Sequence, residues 1–184
     1  MPENTAQERL RLQLLVLGCQ AGDEAAFARL FRLFGPRTLA YLRGLVGDEA
    51  DDVQQEVWLS VYRNVGGLAN PGAFRTWLFQ TTRHRAIDHL RRRKRQSRLI
   101  DDSVTELAQT AEPEGDESES LGDLDLAAIA ETLPPALGEV LLLRYGNDLS
   151  YAEIALVMGC AMGTVRSRLH AARLRARQVI EESR

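Results

Sequence analysis

The sequence predicts an all-α chain: two small helical domains joined by a flexible acidic linker, the second domain a helix-turn-helix. Three observations predict it. Apolar residues recur at helical spacing along most of the chain, nothing alternates as strands do, and Ala, Leu, Arg and Glu are abundant while aromatics make up only 6%. Charge is segregated: eight Lys or Arg and one acid lie between Arg83 and Arg98, whereas ten acids and no Lys or Arg lie between Asp101 and Asp125. Residues 150–177, SYAEIALVMGCAMGTVRSRLHAARLRAR, break at a glycine between two short periodic stretches.

A chain of 184 residues makes one mid-sized domain or two small ones. Its formal charge of −3 hides two local footprints of opposite sign, and only the basic one suits a polyanion. Cys19 and Cys160 have neither the number nor the spacing of a disulfide framework or a zinc site, so a reducing cytoplasm is expected. The run Leu15 to Cys19 imitates the end of a lipoprotein signal, but Arg11 and Gln13 interrupt the apolar core before it. No stretch approaches the ~20 apolar residues of a membrane span.

In chain order, Leu10, Leu14 and Leu17 predict the core stripe of a first helix that stops at Gly18 or Gly22. Asp23 caps a second helix with Phe27, Leu30, Phe31 and Phe34 inward; Gly35-Pro36 should bend or interrupt it before Leu39, Leu42 and Val46 resume the stripe. Asp48 is expected to cap a third helix with Trp58, Val61, Tyr62 and Val65 inward. Asp52, Gln55, Glu56 and Leu59 share its other side. Acids at a helix start suit the macrodipole, but Glu56 and Leu59 lie too far along for that, and the four make an acidic and apolar platform for a basic partner.

Residues 66–71 read as a loop, with Pro71 opening a long fourth helix that ends in RRRKR. Phe74 and Leu78, then Phe79, Ala86, Ile87 and Leu90, are its expected core contacts. Trp77, Thr81, His84, Asp88, Arg91 and Arg95 form a separate line. An indole heading polar and basic groups suits stacking on bases and gripping phosphates; a half-buried Trp beside a solvated face has the same pattern. His84, Asp88 and His89 lack a convincing third ligand, so no metal is expected. No nucleotide-binding glycine loop, zinc-protease helix or nucleophile motif occurs, so the chain is read as no enzyme and as needing no cofactor.

From Gln96 to about Gly122 periodicity fails and Ser, Glu, Asp, Gly and Pro dominate, as in a linker. Leu124, Ala127, Ala128 and Leu133 begin the second domain. Pro134-Pro135 starts a helix with Leu137, Val140 and Leu141 inward, and Tyr145-Gly146 closes it. Ser150 caps a short helix whose stripe is Tyr151, Ile154, Ala155 and Met158, and Gly159 ends it. A second helix begins at Gly163 or Thr164 with Val165, Leu169, Ala172, Ala176 and Val179 inward. Arg166, His170, Arg173 and Arg177 line one edge, and Thr164, Arg168 and Arg175 the other. Such a helix suits a DNA major groove; the bland alternative is a helical hairpin with a solvated basic face.

Four segments carry a family resemblance: GDEAAFARL from Gly22, ADDVQQEVWLSVY from Ala50, AFRTWLFQTTRHRAIDHLRRRKR from Ala73, and LPPALGEVLLLRY through SYAEIALVMG to GTVRSRLHAAR. In this order and spacing the chain resembles a bacterial RNA polymerase sigma factor of the sigma-70 family, extracytoplasmic-function (ECF) group. The resemblance implies a region 2-like domain over 1–95, a linker over 96–122 and a region 4-like domain over 123–184. It implies that Asp52, Gln55, Glu56 and Leu59 meet core RNA polymerase. Asn70, Trp77, Arg83, His84, Asp88 and Arg91 would serve the promoter's −10 element. Thr164, Arg166, Ser167, Arg168, His170 and Arg173 would serve the −35 element. An anti-sigma factor is an implied partner. His84 stands where the family commonly has Asn, and Cys160-Ala161-Met162 makes an unusually apolar turn. Two other classes fit parts of the sequence: a stand-alone helix-turn-helix regulator, and a helical adaptor that binds only proteins.

Overall fold

The structure is a computed structural model, and it describes residues 2–97 and 126–182. Among these residues there are eight α-helices and no strand. The linker predicted over 96–122 lies, but for its first two residues, outside them; those two finish a helix.

The first half folds around α1 (Pro2–Gln20), α2 (Glu24–Val46), α3 (Ala50–Asn64) and α4 (Phe74–Ser97). Asp23 Oδ1 accepts from the Ala25 and Ala26 N–H groups at 2.8 and 3.2 Å, so the cap expected for α2 is present. The stripe Leu30, Phe34, Leu42 and Val46 is buried against Val53, Val57, Trp58 and Val61 of α3 and Phe74 and Leu78 of α4.

Several expectations are corrected here. Leu10, Leu14 and Leu17 are exposed at 57%, 59% and 49%. α1 instead turns Leu12, Leu15, Val16 and Cys19 to the core, a competing i, i+3, i+4, i+7 stripe in the same leucine-rich run. Pro36 does not interrupt α2, because it sits on the solvent side, where water can take the carbonyl its missing N–H leaves free. Asp48 does not cap α3: 47–49 form a 3-10 turn, and Glu49 occupies the N-cap position without a side-chain bond. Tyr62 is 59% exposed and meets Phe27 edge-on at 5.1 Å. Phe31, 45% exposed, likewise leans on Trp58 at 5.0 Å. Leu90 is exposed because the end of α4 is held by ion pairs rather than by the core: Arg92 to Glu56, and His89 and Arg93 to Glu49.

The second half comprises α5 (Leu126–Thr132), α6 (Pro135–Leu141), a π-turn over Leu142–Gly146, α7 (Tyr151–Met158) and α8 (Met162–Glu182). Ser150 and Glu153 form a reciprocal capping box at the start of α7. Gly159 ends α7 with φ of 65°, a left-handed turn that needs no Cβ. α8 begins one residue earlier than expected, and Val165, Leu169, Ala172 and Ala176 are fully buried. α7 and α8 form the helix-turn-helix.

The two halves pack on one another. Tyr41 of α2 and Phe79 of α4 belong to the apolar cluster of the second half, with Leu45 at the seam. A Cβ on Gly44 would meet the tip of the Leu142 side chain, so the π-turn lies close against α2 there. Among the described residues no helix is long and apolar enough to cross a membrane.

Candidate nucleic-acid interface

α4 presents the expected polar line. Trp77 and Thr81 are half-buried, while His84, Asp88, Arg91 and Arg95 are exposed, with Asp88 and Arg91 3.9 Å apart. Trp77 tilts on Phe74 at 6.0 Å between ring centroids, so one indole face is fixed by the core. Asn70 heads the short turn Pro71–Ala73, where its Oδ1 accepts from the Gly72 N–H at 2.9 Å. α1 braces this loop from below, since Gln20 Nε2 donates to the Val65 and Leu68 carbonyls at 3.1 and 2.8 Å.

Arg83 does not join that line. It points to the second half, where its Nε donates to Glu139 Oε1 at 2.6 Å. The Tyr41 hydroxyl donates to the same oxygen at 2.8 Å. Burial works against the Arg83 charge, but the Glu139 carboxylate outweighs it and holds the guanidinium pKa above its ordinary value. Burial, and then the adjacent negative charge, push the Tyr41 phenol well above its ordinary range, so it remains a donor. A second link lies nearby: Arg75 Nη2 lies 3.0 Å from each carboxylate oxygen of Glu153. Gln80 donates to the Leu156 carbonyl at 3.0 Å. Burial disfavours the Glu153 charge, yet the Ser150 N–H and hydroxyl together with Arg75 hold its pKa below the ordinary carboxylate value.

On α3, Asp52, Gln55 and Leu59 are exposed on one side, as expected. Glu56 is beside them but is taken up by Arg92, whose Nη2 lies 3.1 and 3.0 Å from its two oxygens. Glu49, lowered in pKa by the His89 hydrogen bond first and by Arg93, closes the neighbouring turn.

On α8, Arg166 and His170 are exposed, and Thr164, Ser167, Arg168 and Arg173 are half-buried. Ser167 donates to the Thr164 carbonyl at 3.1 Å, which steadies the first turn. Arg173 Nη2 donates to the Tyr151 hydroxyl at 3.0 Å, tying the helix to α7. Arg168 reaches toward Cys160 at 4.0 Å, so the apolar turn contacts the basic edge. α8 packs on α5, α6 and α7, whereas α4 is met by α7. The basic edge carrying Arg166 and His170 is therefore open to solvent.

The residues that join the halves, Tyr41, Gly44, Arg75, Glu139 and Glu153, were not singled out from the sequence. One signal was available: Glu139 is a lone acid inside the apolar run Leu137 to Leu143 and is 8% exposed. A buried acid demands a partner.

The comparisons with known proteins agree with this arrangement. The model of Sigma-70 region 2 matches residues 30–96, and that of Sigma-70, region 4 matches residues 123–175. The chain is 38% identical to the RNA polymerase sigma-H factor of Pseudomonas aeruginosa over 93% of its own length and 92% of that protein's. It is 32% identical to the ECF RNA polymerase sigma-E factor of Escherichia coli, covering 95% and 94% of the two chains. Its fold is similar to that of CnrH in complex with the cytosolic domain of CnrY, with a TM-score of 0.64, 20% identity and coverage of 94% and 99%. It is similar also to that of the sigma factor RpoE in complex with the anti-sigma factor NepR from Bartonella quintana, with a TM-score of 0.67, 24% identity and coverage of 86% and 98%. The chain belongs to the sigma-70 family of RNA polymerase sigma factors, in its ECF group, and is a factor of transcription initiation.

Proposed function

We propose that this sigma factor works in the cytoplasm as a two-site promoter reader, with residues 1–95 and 123–184 as its DNA- and polymerase-binding units and 96–122 as the tether. Asp52, Gln55, Glu56 and Leu59 dock on core RNA polymerase. Asn70, Trp77, His84, Asp88 and Arg91 serve the −10 element, joined by Arg83 only when its bond to Glu139 opens, and Thr164, Arg166, Ser167, Arg168, His170 and Arg173 serve the −35 element. The observation that carries this reading is the pair of solvent-open basic faces in one chain, along α4 and along α8. An anti-sigma factor as the restraining partner fits the structural neighbour RpoE, captured with the anti-sigma factor NepR.

Energetics explain the need for polymerase. Separating roughly ten base pairs costs on the order of 14 kcal/mol, at ~1.4 per step. Stacking two or three flipped bases returns about 2–9 kcal/mol. The chain alone falls short, so core enzyme supplies the remainder.

A run-off transcription assay with purified core polymerase, with and without the chain, on a cognate promoter tests the proposal. Initiation that depends on the chain supports it. A regulator acting on duplex DNA alone, or an adaptor binding only proteins, would leave core enzyme without specific initiation.

A further inference from the structure

The exposed leucines of α1 do not lie on an otherwise polar surface. Leu14 borders a trough between α1 and α2 of about 610 Å³, lined also by Leu15, Ala26 and Leu33, with Arg11, Arg29 and Arg32 in its wall. Leu14 and Leu33 are 59% and 55% exposed. Leu10 and Leu17, about one turn to either side of Leu14 on α1, are 57% and 49% exposed. Among the described residues, none of the three arginines is in an ion pair. The one acid in the lining, Asp23, already accepts from two backbone N–H groups as the cap of α2. The trough is therefore lined by apolar side chains together with cations that have no ion-pair partner among the described residues.

We infer that the α1–α2 trough is a docking site for an acidic amphipathic helix of a partner protein, a helix with a leucine-type stripe for Leu14 and Leu33 and carboxylates for Arg11, Arg29 and Arg32. Helices bind grooves through apolar anchors at i, i+3, i+4 and i+7, and the Leu10, Leu14 and Leu17 spacing offers a matching surface. Charge complementarity selects the acidic helix over a basic one. Four exposed leucines argue against a nucleic-acid backbone, which gains nothing from burying them. The site is separate from the α3 platform and from the open faces of α4 and α8, and the inference does not depend on how those faces are used. Because α1 also holds the loop before Asn70 through Gln20, a helix seated here would bear on that loop.

The test uses the full chain and three fluorescent probes: a stapled 16-residue Leu/Glu amphipathic helix, the same helix with Lys for Glu, and a 20-nucleotide DNA. The Leu/Glu helix is expected to bind, to weaken as salt rises, and to lose roughly tenfold in affinity to the double variant Leu14→Ser/Leu33→Ser. The charge reversal Arg29→Glu/Arg32→Glu should weaken it by a similar factor and favour the Lys helix. All four positions are exposed, so unchanged circular dichroism and melting temperature are expected to accompany the loss. Equal binding of both helices, or binding indifferent to the variants, overturns the inference. So does DNA binding that falls with Arg29→Glu/Arg32→Glu while neither helix binds. Self-association of the free chain that Leu14→Ser/Leu33→Ser abolishes would assign the trough to a second copy and overturn it equally.

Discussion

Arg83 and Glu139 meet at 2.6 Å across the boundary between the two halves, the former 23% and the latter 9% exposed in its side chain. A residue proposed for the −10 element is thus bound to the module proposed for the −35 element. Either Arg83 never touches DNA, or the halves must part before it does. Removing one member of a buried pair leaves the other uncompensated; with Arg83 partly solvated, the cost is about 2 kcal/mol. Glu139→Gln is expected to raise the radius of gyration in small-angle scattering while leaving helicity unchanged. Gly44→Leu, whose side chain must displace the tip of Leu142 and which alters no charge, should act in the same direction. A radius unmoved by both variants would show that the halves stay joined without these contacts.

Asp52 and Leu59 test the polymerase platform more cleanly than Glu56. Glu56→Arg would set a cation against Arg92, which now lies 3.0 Å from the carboxylate, and so disturb the α3–α4 contact as well as any partner. Asp52 is in no ion pair among the described residues and Leu59 is 55% exposed, so Asp52→Arg and Leu59→Ala spare the bond from Arg92 to Glu56. Each is expected to lower co-purification with core polymerase at least roughly tenfold if it meets a hot spot, with an unchanged melting temperature. Undiminished co-purification of both would place the polymerase contact elsewhere.

The elements were legible where the signal is local. Asp23, Ser150 and Gly159 act within a turn of their own positions, and the structure has the two caps and the left-handed stop there; that Glu153 completes a capping box with Ser150 was not read from the sequence. The buried stripe of α8 was equally plain, because small and apolar residues repeat without a competitor. In α1 two stripes compete, 10/14/17 and 12/15/16/19, and only the position of α2 decides between them. Tyr62 looked inward because its spacing from Trp58 is helical, yet an aromatic at the edge of a stripe can satisfy itself edge-on against Phe27. The contact between the halves joins residues such as Tyr41 and Glu139, 98 positions apart, for which helical periodicity carries no information. For the site, the exposed faces followed from periodicity; the diversion of Arg83, Glu56 and Asn70 into intramolecular bonds did not.

Glu153 makes the contact between the halves sensitive to acid. Its carboxyl pKa is lower in the folded protein than in the unfolded chain, so its contribution is full above the unfolded value of about 4.3 and is lost as pH falls through the folded value. Two bonds to Arg75 and the capping box depend on that charge. Glu153→Gln should therefore lower the urea midpoint at pH 7, by about 1 kcal/mol in stability after allowance for solvent screening. The gap between variant and parent should close as pH is taken below the ordinary carboxylate range. A gap that stays constant with pH would mean that the amide's shape, and not the lost charge, is responsible.

Arg166 discriminates base reading from phosphate binding on α8. It is exposed and has no ion pair among the described residues, so Arg166→Ala should leave folding intact. If its guanidinium reads a base edge in the major groove, initiation from a promoter with its −35 element should weaken by ~1–3 kcal/mol, and a template with that element scrambled should show no further loss. If it grips a phosphate, both templates should suffer alike and the salt slope of binding should fall by about one. Arg173, held by the Tyr151 hydroxyl, supplies the contrast. Its truncation removes a tie between α7 and α8, so Arg173→Ala should lower the melting temperature as well as initiation. Run-off yields on the two templates, read beside thermal melts, separate a contact with DNA from a brace behind it.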